Sequence, residues 1–189
     1  MDLVLIRHPA VAVDAGVCYG QTDVPLARDA HESARDLTAR MRSLNVPACA
    51  DGWHTSPLQR CASLARALGE ARIDARLSEL HFGAWEGCAW DDIDRALIDA
   101  WAADIEHASP HGGESVAQFR ARVTAWFDDL CADAPAAIHV VAHAGVMRVL
   151  AAYLLRVDPA SVLQWALEFG AIVQLRRVGG EWRVVRWNA

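Results

Sequence analysis

Residues 137–145 read Ala-Ile-His-Val-Val-Ala-His-Ala-Gly, and this stretch decides the fold. Ala137 to Ala142 is an apolar run broken only by His139. It is short and bounded by a helix pattern, which predicts a strand covered on both faces. His143 ends the run, and Gly145 to Leu155 returns to helical spacing. A buried strand that feeds directly into a helix points to an α/β unit with a parallel sheet.

The same alternation extends outward in both directions. Leu3 to Ile6 is a second short apolar run, closed by Arg7-His8. Ala34, Leu37, Met41 and Leu44 mark a helix over Ala30 to Leu44. Gly52 to Thr55 reads as a strand. Ser56-Pro57 then opens a helix, with Ser56 as the expected N-cap and Gly69 as the stop. Asp74 to Leu77 is expected as a short strand and Asp91 to Ile105 as a helix. Ser115 caps a helix with the stripe Phe119, Val123, Phe127 and Leu130. Ala171 to Leu175 and Trp182 to Trp187 read as a closing hairpin around Gly179-Gly180. The expected fold is a three-layer α/β/α sandwich: a mostly parallel sheet, helices on both faces, and an antiparallel edge strand.

Composition narrows the function classes. The chain has 189 residues, is 53% hydrophobic and 22% charged, and carries a formal net charge of −6. One domain over residues 1–189 is expected, with a small helical cap insertion at about 84–112. No block of Lys or Arg supplies the basic footprint a nucleic-acid partner needs. No apolar run is long enough to span a bilayer, and the apolar N-terminal run has no basic region before it. The five Cys are widely spaced with no C-x-x-C, so reduced thiols and a cytoplasmic setting are expected.

In open α/β sheets, ligands bind beyond the carboxyl ends of the strands. That rule selects Arg7-His8 after the first strand, Thr55 to Arg60 after the second, and His143 after the strand at 137–142. Neutral imidazole is a good nucleophile, and attack on phosphorus yields a phosphohistidine that divides one displacement into two. The transferring group spreads charge over its oxygens, which Arg7, Arg60 and a donating His143 would meet. A departing alkoxide needs a proton, and Glu79 and Glu86 are both candidate donors, since burial beside Phe82 or Trp85 would raise a carboxyl pKa. Taken singly, each residue has a plainer reading: Arg60 as an exposed helix residue, His143 as a bonded core histidine. Their joint placement at three strand ends favours chemistry.

These residues resemble the signature segments of the histidine phosphatase (phosphoglycerate-mutase-like) superfamily. Arg7-His8 resembles its R-H-G, and Ser56-Pro57-Leu58-Gln59-Arg60-Cys61 its S-P-L-x-R-A. Glu79 to Gly87 is similar to E-x-x-F-G-x-W-E-G, Gly112 to Ser115 to G-G-E-S, and Ala142 to Arg148 to S-H-G-G-x-I-R. The resemblance implies His8 as the phosphorylated nucleophile, with Arg7, Arg60 and His143 binding the phosphoryl group. It implies Glu79 as proton donor and later base, Glu86 as a structural residue, and neither cofactor nor metal. His139 and His143 would chelate one ion only on a helix, so no metal is expected on residue grounds either. The stretch Gly16 to Leu26 is similar to the G-x-C-Y-G-x-x-D-x-P-L of α-ribazole phosphatases, which remove the 5′-phosphate of α-ribazole phosphate in the cobalamin nucleotide-loop pathway.

The chain departs from the family beside the nucleophile. Pro9, Ala10 and Val11 follow His8, so a Thr hydroxyl donor is missing and Pro9 has no N–H to offer. Asp14, the backbone of Gly20-Gln21 or the Gln21 amide are candidates to replace them, which makes Tyr19, Gly20 and Gln21 candidate substrate-binding residues. The expected partner is a small-molecule phosphomonoester. Broad-specificity phosphatase and phosphoglycerate mutase are the alternatives of the same chemistry; the short span from Gly87 to Gly112 favours hydrolysis over mutase action. A catalytically silent binding domain would have no use for both His8 and Glu79. Trp85 and Trp90 are expected to pack in the interior before they wall a substrate.

Overall fold

The structure, a computed structural model, describes residues 1–131 and 135–189. Its described strands form one mixed sheet. In chain order they are β1 (Asp2–Arg7), β2 (Trp53–Thr55), β3 (Ala71–Ile73), β4 (Ala137–Ala142), β5 (Ile172–Val178) and β6 (Glu181–Arg186). Across the sheet the order is β3-β2-β4-β1-β5-β6. β4 pairs in parallel with both β1 and β2, and β2 with β3. The C-terminal hairpin adds two antiparallel strands: β5 lies inside the sheet against β1, and β6 forms the edge.

The helices are α1 (Ala30–Ser43), α2 (Gln59–Leu68), α3 (Arg95–Ala103), α4 (Val116–Cys131), α5 (Ala144–Leu155) and α6 (Pro159–Leu163). Strand alternation assigns them to two faces. Leu3 and Leu5 of β1 and Val140 of β4 face a core with Phe119, Val123, Met147 and Leu150 from α4 and α5. Val4 and Ile6 face the other core, with Leu37 of α1 and Leu64 of α2. The sheet is therefore sandwiched between helical layers.

Three local readings need correction. α2 begins at Gln59, and its N-cap is Leu58 with no side-chain bond. Ser56 does not cap it because its hydroxyl is taken by His143 and by the Leu58 N–H, while Asp23 accepts the Gln59 N–H from a distant loop. Asp74 to Leu77 is not a strand. The strand is Ala71–Ile73, and Asp74 caps a 3-10 turn over Ala75–Leu77 by accepting from the Arg76 N–H. The helix expected over Asp91 to Ile105 divides into a 3-10 turn at Trp90–Asp92 and α3, whose N-cap is Asp94. α6 has no counterpart among the elements expected from sequence; Asp158 caps it with Pro159 in its first turn. At α4, Ser115 forms the expected cap and closes a reciprocal pair with Gln118.

No described helix is long and apolar enough to cross a membrane.

Candidate active site

The carboxyl ends of β1, β4 and β2 bring His8, His143 and Arg60 together. His8 is 2% exposed, and its backbone is pinned on both sides. Its N–H donates to Ala142 O, and its carbonyl accepts from Gly170 N–H. The ring makes one hydrogen bond among the described residues: Nδ1 lies 2.8 Å from Pro9 O. A carbonyl can only accept, so Nδ1 carries the proton and Nε2 keeps the lone pair. Burial first, then the charges of Arg60 and Arg7, push the His8 pKa down from 6.5 to about 3 despite the Pro9 bond. Pro9, which offers no N–H, thus contributes its carbonyl and fixes the tautomer that leaves Nε2 free.

Arg60 is fully buried. Nη1 donates to Thr22 O at 2.8 Å, Nη2 to Gly20 O at 2.6 Å, and Nε to His143 Nδ1 at 3.3 Å. Tyr19 stacks beside the guanidinium, 5.0 Å from ring centroid to Cζ. These bonds use one N–H on each nitrogen, so each Nη retains a donor. The loop that follows β1 therefore acts as a cradle that holds Arg60.

His143 is also fully buried. Since the Arg60 N–H can only donate, His143 Nδ1 accepts, and its Nε2–H donates to Ser56 Oγ at 2.8 Å. Burial, then Arg60 and His8, hold its pKa well below 6.5. His143 is therefore a neutral post between Arg60 and Ser56, with its ring edge-on to His8 at 5.3 Å. α5 starts immediately after it, without a side-chain cap, and the positive end of that helix faces the site.

Arg7 completes the cationic wall. Nη1 donates to Leu167 O at 2.6 Å, and Phe169 covers the guanidinium at 3.9 Å. Arg7 Nε is buried without a hydrogen-bond partner among the described residues. A buried donor in that state is suited to an incoming anion.

Glu79 faces this wall from the segment after the Ala75–Leu77 turn. Oε2 accepts from Gly145 N–H at 3.1 Å and Oε1 from Leu80 N–H at 3.0 Å. A Cβ on Gly145 would overlap the Glu79 carboxylate, so only glycine permits this approach. The Glu79 backbone is held by Arg122 of α4, which donates to the carbonyls of Arg76, Ser78 and Glu79. The Arg122 guanidinium is itself clamped by both oxygens of Glu114, at 2.7 and 2.8 Å.

Glu86 has a different role. Burial alone would raise its pKa, yet hydrogen bonds from the Thr22 side chain and from the Gln21, Phe82 and Thr22 amides hold it below the usual range. Its carboxylate joins the loop at Gly20–Thr22 to the segment at Phe82. Gly20 sits so close to Glu86 and Leu80 O that a side chain there would collide.

The candidate replacements for the missing donors beside His8 are engaged in part. Gln21 N–H donates to Glu86 and its side-chain amide to Glu79 O. The Gly20 carbonyl accepts from Arg60. Tyr19 remains against Arg60 and near His8. Asp14 is exposed, on a turn closed by Val17 N–H to its own carbonyl. Arg7 Nε, the remaining Arg60 donors and the α5 N-terminus add positive field at the same rim. Trp85 is buried, as expected, in an aromatic cluster with Trp90, Trp101 and His111, whereas Trp90, also expected in the interior, is 37% exposed at the edge of that cluster.

Arg122, Glu114 and Phe169 were not read as site residues from sequence. Glu114 lies in a quoted segment, but only its clamp on Arg122 reveals its use. Phe169 carries no signal beyond its place before β5.

A family profile described as the histidine phosphatase superfamily, branch 1, matches residues 3–189. An adenosylcobalamin/alpha-ribazole phosphatase of Salmonella typhimurium is 31% identical over 180 residues, covering 90% of this chain and 87% of that protein. A glucosyl-3-phosphoglycerate phosphatase of Mycolicibacterium vanbaalenii is 31% identical over 222 residues, covering 99% of this chain and 94% of that one. The solved alpha-ribazole phosphatase of Shigella flexneri superposes with a TM-score of 0.86 at 26% identity, covering 100% of this chain and 96% of its own.

Proposed function

The chain belongs to the histidine phosphatase superfamily and is a phosphatase, and from that premise we propose that it hydrolyses a small phosphomonoester through a phosphohistidine at His8, without a metal. One observation carries this reading: the Nδ1 proton of His8 is held by Pro9 O, and burial keeps the ring neutral to about 3, which leaves the Nε2 lone pair available at any ordinary pH.

The steps follow from the geometry. His8 Nε2 attacks phosphorus, and the ester oxygen departs with the proton of Glu79. The free donors of Arg60 and Arg7 neutralise the equatorial oxygens, and the α5 N-terminus adds its dipole. His143 keeps Arg60 in place. Glu79, now a carboxylate, takes a proton from water as that water displaces His8, and inorganic phosphate leaves. In this reading residues at about 84–112 act as the cap that shields the site.

For the substrate, the similarity of Gly16 to Leu26 to the α-ribazole phosphatase pattern and the relatives from Salmonella and Shigella support α-ribazole 5′-phosphate. The equal identity to a glucosyl-3-phosphoglycerate phosphatase supports a second reading, a phosphorylated sugar acid.

Turnover of a ³²P-labelled monoester, quenched under alkaline denaturing conditions in which a phosphoramidate survives, tests the mechanism. Label is expected on His8, and none in the folded His8→Ala variant. Label on Cys or Ser, or full activity in His8→Ala, would refute it.

A further inference from the structure

A cavity of about 500 Å³ opens beside Glu79 and Gly145, between α3 and the start of α4 on one side and α5 and α6 on the other. Its walls are largely apolar: Leu80, Phe82, Trp101, Ile105, Val149 and Leu163 contribute to them. One lining cation stands out. Arg120 is paired with Glu106, whereas Arg148 has, among the described residues, only a long contact from Nη2 to Trp165 O at 3.4 Å. Arg148 Nε is buried with no hydrogen-bond partner among the described residues. Arg148 is also close enough to Arg7 for its charge to oppose that of Arg7.

We propose that this cavity seats the alcohol half of the substrate, that this half is an apolar ring system, and that Arg148 binds an oxygen or nitrogen acceptor between the ring and the ester. The inference rests on the phosphatase reading of the site. In-line displacement puts the leaving oxygen on the face of phosphorus opposite His8, where the acid must meet it. Glu79 is that acid, and its carboxylate forms part of the cavity wall. The group bonded to the leaving oxygen therefore extends into the cavity. Apart from Trp101 Nε1, a buried donor without a partner among the described residues, the walls formed by Leu80, Phe82, Ile105 and Val149 return no hydrogen bonds, so most hydroxyls of a polyhydroxylated sugar acid would be stripped of water there without compensation. A flat apolar ring loses nothing comparable and gains by burial. Arg148 then supplies the specific polar contact, since leaving its buried Nε unpaired is unfavourable. Arg148 is a specificity-determining residue in this scheme, separate from the cations around phosphorus.

The test compares two primary-alcohol esters, 2-naphthylmethyl phosphate and glycerol 1-phosphate. Wild-type kcat/KM should favour the naphthylmethyl ester by about tenfold or more. Ile105 and Leu163 are 41% and 52% exposed, so Ile105→Lys and Leu163→Asp should fold. Each should raise KM for the naphthylmethyl ester by about tenfold more than KM for glycerol 1-phosphate. Arg148→Met should weaken turnover of α-ribazole 5′-phosphate, which has ribose oxygens beside the ester, by at least about tenfold more than that of the naphthylmethyl ester, which has none. Equal turnover of the two esters, or parallel losses in the rim variants, would overturn the cavity assignment while leaving the phosphatase reading intact. Binding of 2-naphthylmethylphosphonate, followed by tryptophan fluorescence, is a second readout that needs no catalysis. Binding weakened by Ile105→Lys supports the cavity even if every ester fails to turn over, an outcome that would sink the phosphatase reading alone. Binding indifferent to both rim variants would overturn the cavity assignment on its own.

Discussion

Arg60 Nε donates to Nδ1 of His143 across 3.3 Å, so two groups expected to bind phosphate side by side are bonded to one another. The guanidinium is also tied to the Gly20 and Thr22 carbonyls. Phosphate can meet only what remains of the Arg60 fork.

Arg60→Lys keeps the charge and loses that fork. It should lower kcat/KM by about a hundredfold or more, as losing one aimed donor does elsewhere. It should also destabilise the fold, because each buried carbonyl left unpaired costs about 1–3 kcal/mol. Steady-state kinetics and urea denaturation check both. Wild-type stability in the variant would contradict the cradle role of the Gly20–Thr22 loop.

Glu79→Gln should separate substrates by leaving group. An alkyl ester needs the proton, and its kcat/KM should fall by about 10²–10⁴-fold. p-Nitrophenyl phosphate, whose leaving group departs unprotonated, should suffer much less. Equal losses for both esters would remove Glu79 from the acid role.

Gly145→Ala sets two effects against each other. Alanine favours a helix over glycine by about 1 kcal/mol, but its Cβ would displace the Glu79 carboxylate. Folding stability should change little while kcat/KM falls by about a hundredfold, the scale of a small misplacement of a catalytic group. Retained activity would show that Glu79 tolerates another position.

Acid should unfold the protein through its buried imidazoles. The pKa of His8 is lowered from 6.5 to about 3 and that of His143 well below 6.5, both first by burial. The unfolded chain takes up these protons as pH falls through 6.5, and the folded chain does not. For His8 the contribution is therefore complete above pH 6.5 and is lost as pH falls toward about 3, at about 1.4 kcal/mol per pH unit. His143 acts in the same direction below pH 6.5. Urea midpoints at pH 7, 6 and 5 should decline, with a shallower slope in His143→Gln. An unchanged slope in that variant would refute the assignment for His143.

Much of the fold and part of the site were legible in sequence. β1 and β4 could be read because buried strands are continuous apolar runs, and their ends located His8 and His143 by topology. Arg60 followed from its place after β2. Arg122 was opaque because its partners are carbonyls 43 to 46 residues away, and carbonyls leave no mark in a sequence. Ser56 was misread as a cap because Ser-Pro does favour helix starts, and only the fold reveals that His143 captures its hydroxyl. Gln21 keeps only part of its capacity as a phosphate donor, since its backbone N–H is committed to Glu86 and one of its two amide N–H groups to the Glu79 carbonyl, partners that no sequence pattern reveals.

The Glu86 carboxylate has a consequence for affinity that reaches past its own bonds. It fixes Gln21, Thr22 and Phe82 before any ligand arrives, and the loop it fixes holds Arg60. The ordering entropy of that loop is settled during folding, so phosphate association does not carry it. A Glu86→Gln chain would have to organise its loop around each arriving substrate. Its losses should therefore surface as slower association and weaker retention of inorganic phosphate, at a residue that itself never meets the anion.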